Sequence, residues 1–76
     1  MIKLRIFELK NDLERHLHRD ISNREIARAI DVAPNTIGNM MSNRSIRVDM
    51  RTLTALLAYF RDGGLDIQPG DLFGED

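Results

Sequence analysis

The chain has no cysteine and no tryptophan, only two prolines, and a single tyrosine. Without cysteine there are no disulfides, no thiolate chemistry and no cysteine-ligated zinc. Long apolar runs are missing too: none nears the roughly 18 residues that a membrane-spanning helix needs. Met1-Ile2-Lys3-Leu4-Arg5 interleaves charge with apolar side chains, so it lacks the continuous apolar stretch of a signal peptide. There is no internal repeat and no low-complexity segment. Net charge is small, −1, so the plainest mark of a nucleic-acid binder is missing on average. What remains is 76 residues, 42% hydrophobic and 30% charged, the composition of one small folded domain. A pocket would remove volume from a core that is already marginal at this length, so an enzyme is not expected.

The charge average conceals a gradient. Residues 1–61 hold 11 basic and 7 acidic side chains, a net of +4. After Arg61 there are five acidic residues and no basic one. The mildly basic front permits a polyanionic partner, and the segment 62–76 is acidic.

Residues 2–6 alternate apolar and basic side chains, the period of a short strand or extended arm with one covered face. Ile6, Leu9, Leu13, His16 and Leu17 then recur at helical spacing, which predicts a helix over about Phe7 to His18. Ser22-Asn23-Arg24-Glu25 reads as a capping box, with Glu25 reaching back to the Ser22 amide. Ile21 stands where it would staple onto Ile26. That helix runs to about Ile30. Asp31-Val32-Ala33 is a break, and Pro34 suits the first turn of a helix over about Pro34 to Met41. Ser42-Asn43-Arg44-Ser45 reads as a polar turn. Asp49 is placed to cap a helix from Met50 to Phe60, which Asp62-Gly63-Gly64 ends. A final turn carries Ile67, Leu72 and Phe73 to close the core.

Two short helices joined by three residues cannot lie antiparallel along their length, so they must cross steeply. A steep crossing needs a small residue at the approach (Ala27), an apolar plug in the corner (Val32), and inward anchors on the second helix (Ile37 and Met40). The run from Asn23 through Met41, NREIARAIDVAPNTIGNMM, resembles the helix-turn-helix of the Cro/CI-type (XRE-like) phage and bacterial repressors. Ser42 to Leu53 is similar to that family's turn and the start of its fourth helix, and Gln68-Pro69-Gly70-Asp71-Leu72 to the ending of its short stand-alone members. Three positions depart from the family pattern. Asp31 stands where glycine is usual, and it tolerates a left-handed backbone better than most residues. Ala33 replaces the usual Ser/Thr cap, worth about 1 kcal/mol. Gly38 lies inside the second helix at a cost of roughly 1 kcal/mol relative to Ala.

The resemblance implies an all-α fold, a small four- to five-helix bundle of the lambda-repressor-like DNA-binding type with a short N-terminal strand or arm. It implies one domain over 1–76 with its motif at about 23–42. The function implied is sequence-specific binding of double-stranded DNA as a small cytoplasmic, bacterial or phage-encoded transcriptional regulator, a repressor. Helix 34–41 would enter the major groove with Pro34, Asn35, Gly38 and Asn39 toward base edges. Asn35 and Asn39 are one turn apart, and a carboxamide can donate to and accept from adenine. Asn23, Arg24, Ser42, Asn43, Arg44 and Arg47 are the expected phosphate contacts. One motif reads only a few base pairs, so a homodimer is expected. Strand pairing through Ile2, Leu4 and Ile6 is one candidate interface, and the segment after Phe60 is another. An arm packed on its own domain is the competing reading of residues 2–6. His16 and His18 are two apart and point to different sides of a helix, so no metal or cofactor is expected. The rival function is an antitoxin or adaptor module whose helix-turn-helix domain binds mainly a protein partner.

Overall fold

The computed structural model describes residues 2–42 and 49–75. The described chain runs β1 (Ile2–Leu4), α1 (Ile6–Leu17), α2 (Asn23–Ile30), α3 (Pro34–Met41), α4 (Met50–Asp62), a 3-10 turn (Pro69–Leu72) and β2 (Phe73–Glu75). The molecule is therefore mostly helical, with one small two-stranded sheet. No helix among the described residues is long and apolar enough to cross a membrane.

Two helices, α2 and α4, begin where a side chain satisfies a free amide. Ser22 Oγ accepts from the Glu25 amide at 3.0 Å, and Asp49 Oδ1 accepts from the Thr52 amide at 2.8 Å. Pro34 opens α3, and Ala33 before it offers no capping side chain. Three helices end alike. After α1, α2 and α4 the chain turns left-handed at His18, Asp31 and Gly64, with φ of 57°, 60° and 116°. In each case the next amide bonds back five residues: Arg19 to Glu14, Val32 to Ala27 and Leu65 to Phe60, at 3.2, 2.9 and 3.0 Å. Gly64 suits this turn because its φ of 116° is one that L side chains rarely adopt.

All four helices feed one core. Ile6, Leu9 and Leu13 come from α1, Ile26 and Ala27 from α2, Ile37 and Met40 from α3, Leu56 and Phe60 from α4. Ile21 and Leu72 complete it, and no polar residue among those described is buried with them. Ile21 precedes the Ser22 cap and shares this cluster with Ile26, as a hydrophobic staple requires.

Several expectations need correction. The strand ends at Leu4, α1 starts at Ile6, and α4 runs two residues past Phe60. Glu25 does not complete a capping box: its carboxylate binds the Arg19 guanidinium at 3.1 and 2.7 Å. Two charged hydrogen bonds outcompete one to a neutral amide. Leu17 and His16 lie on the exposed side of α1, and Phe73 is 41% exposed. β1 pairs antiparallel with β2 of the same chain, Lys3 facing Gly74 and Leu4 facing Phe73. The arm thus packs on its own domain.

Candidate nucleic-acid interface

The α2–turn–α3 unit holds the residues of interest. Ala27 is buried in the middle of α2, where any larger side chain would push α3 away. The left-handed backbone at Asp31 redirects the chain between α2 and α3, and half-buried Val32 packs against the core at this corner. The Thr36 amide then donates to the Ala33 carbonyl at 3.0 Å, opening α3. Ile37 and Met40 are fully buried, one turn of α3. With these two anchored, the opposite side of α3 is turned to solvent.

Pro34 and Asn35 are exposed, and Gly38 and Asn39 are half-buried. A Cβ built on Gly38 meets nothing within 4 Å, so nothing inside the folded chain demands glycine there. The first turn of α3 carries no acidic residue. Ser42 is exposed, but its hydroxyl donates to the carbonyls of Gly38 and Asn39, both at 3.2 Å. A phosphate contact from Ser42 therefore requires its hydroxyl to turn away from these carbonyls. Arg24 is exposed in the first turn of α2. Asn23 is half-buried, and its Oδ1 is buried without a hydrogen-bond partner. The donor a phosphate needs from Asn23 is then the side-chain NH2 or the backbone amide. Asn43, Arg44 and Arg47 lie outside the described residues.

The electrostatics of α2 are asymmetric. Its only carboxylate, Glu25, is held below the ordinary glutamate value by hydrogen bonds from Arg19, with burial opposing slightly. Arg19 is raised in return by the same contact. Arg28, which sequence reasoning passed over, is exposed one turn after Arg24. Its signal was the four-residue spacing from Arg24 on a helix whose other side is buried.

A polar hollow lies at the end of α1, lined by Asn11, Glu14, Arg15, His18, Arg19 and Asp20. Three of its charged side chains are engaged within the chain. Arg15 pairs with Asp12, Arg19 with Glu25, and Glu14 accepts from the Ile21 amide at 2.7 Å. Among the described residues no three potential ligands cluster as a metal site.

The chain matches no protein-family model, no curated protein and no solved structure.

Proposed function

We propose that this protein binds double-stranded DNA in a sequence-specific manner, as a small transcriptional repressor with a lambda-repressor-like fold. The observation that carries the reading is the α2–turn–α3 unit. A three-residue link with a left-handed residue at Asp31 joins two short helices, and the second is anchored by Ile37 and Met40 with its amide-bearing side outward. In this reading α3 lies in the major groove. Asn35 and Asn39 pair with adenine edges through paired donor and acceptor atoms. Pro34 touches a thymine methyl, and Gly38 lets the helix approach closely. The α2 N-terminus, with Asn23 and Arg24, meets a phosphate, where free amides and the helix dipole favour negative charge. Ser42, Asn43, Arg44 and Arg47 follow α3 toward the other side of the groove.

Selection of bound duplexes from a random pool tests the reading, followed by gel retardation across salt. Binding falls steeply between low and moderate salt if the reading holds. Asn39→Ala flattens discrimination at one base pair, whereas Arg44→Ala weakens binding to all sequences and lowers the salt slope by about one. A chain that retards no duplex and co-purifies with another protein is an adaptor or antitoxin instead.

The regulator acts as a homodimer on paired half-sites. β1 already spends one edge on β2, so any strand pairing between copies uses an outer edge of this small sheet. Sedimentation of the free protein at micromolar concentration gives twice the monomer mass if the dimer forms without DNA.

A further inference from the structure

Resting on the DNA-binding reading, we propose that Arg24 and Arg28 act together as a backbone clamp on the outer flank of α2, extending the phosphate contact from the α2 N-terminus a full turn along the helix. Both side chains are exposed, and among the described residues neither forms an ion pair or a hydrogen bond. Spaced four residues apart, they stand on one side of α2, about 6 Å apart along its axis. Together with Ser22, Glu25 and Ala29 they line one shallow groove. The small Ala29 side chain keeps its floor open.

Charge decides what the groove accepts. Its only acid is Glu25, and Arg19 already neutralises that carboxylate through two hydrogen bonds from outside the groove. Two uncompensated guanidiniums remain. Each offers a planar fork of donors that matches phosphate oxygens. A run of successive phosphates along one strand is an occupant with that charge and that repeat. The groove adjoins the Ser22-capped N-terminus of α2, where the helix dipole adds to the same potential. The strand that meets Arg24 continues past Arg28, on the side of α2 away from the core.

The clamp reads no sequence, so its signature is electrostatic. Titrations of a selected duplex and of an unrelated duplex at several salt concentrations measure it, with wild type, Arg28→Ala, Arg28→Lys, Arg24→Ala/Arg28→Ala and Arg61→Ala. Arg28→Ala lowers the slope of log affinity against log salt by about 0.9 on both duplexes, and the double variant by about 1.8. Arg28→Lys keeps the wild-type slope, because the charge remains. Arg61→Ala, whose guanidinium bonds the Ile67 carbonyl at 2.9 Å in the last turn of α4, also leaves the slope unchanged. Thermal melting of each variant checks that the fold is intact. Wild-type binding with an unaltered slope in Arg28→Ala overturns the clamp and leaves the DNA reading standing. An equal loss in Arg61→Ala overturns it as well, since any positive charge then serves. A wild-type protein that binds neither duplex overturns both.

Discussion

At Asp31 the backbone is left-handed, with φ 60° and ψ 53°, a conformation that glycine enters freely and most side chains resist. The sequence already marked this position as the turn, because a carboxylate-bearing residue tolerates that region where a branched one does not. Gly38 is the converse case. It is a glycine with no conformational reason to be one, for its backbone is helical and a Cβ has open space. Gly38→Ala therefore stabilises the free domain by about 1 kcal/mol in urea unfolding. The same substitution weakens duplex binding if close approach to DNA is what the missing side chain serves. A variant that is more stable and binds equally well removes Gly38 from the interface. Arg28 shows the limit of reading at this scale. An exposed arginine on a helix is ordinary in a sequence, and only its lack of a partner in the folded chain sets it apart from Arg15 and Arg19.

Among the elements, α2 and α3 were legible to the residue, because Ser22 and Pro34 open them and Asp31 and Ser42 end them. α4 overran its predicted end by two residues because Gly63 still adopts right-handed backbone, and the left-handed turn falls at Gly64. β2 was not legible: three residues, Phe73–Glu75, are too few to show a period, and they become a strand only through their partner. Nor was the Arg19–Glu25 pair, which competes with a local cap across six residues. The caps carry a pH dependence. Hydrogen bonds from the Thr52 side chain and amide hold Asp49 below its ordinary value, and Arg19 does so for Glu25. A carboxyl depressed in the folded state contributes stability that is complete above the ordinary carboxylate range. That stability is lost as pH falls through the depressed folded-state value. Asp49→Asn keeps an accepting oxygen at the cap but no longer titrates, so stability measured from pH 7 downward falls less steeply than in wild type. Identical acid limbs for the two proteins would show that the Asp49 cap does not couple to protons.

Over the whole molecule, the radius of gyration is 11.4 Å, which is the value expected of a fully collapsed chain of this length. The α2–α3 unit shares one core with α1 and α4 through Ile26, Ala27, Ile37 and Met40. α3 is fastened to that core through Ile37 and Met40. The sheet joins the first and last elements of the described chain, and the Arg5 amide adds a bond to the Leu72 carbonyl at 2.8 Å. Pairing residue 2 with residue 75 closes a loop of nearly the whole chain. In the open chain the entropic cost of such a closure is about 4 kcal/mol, roughly twice that of a contact some ten residues apart. Strand pairing is accordingly expected to follow helix packing, as a latch that shuts once the helices have brought both ends within reach. Amide hydrogens of β1 and β2 should exchange with solvent well before those of Ile26 or Phe60, through openings that leave α2 and α3 docked. If strand and core amides exchange together, the latch and the core instead open as one unit.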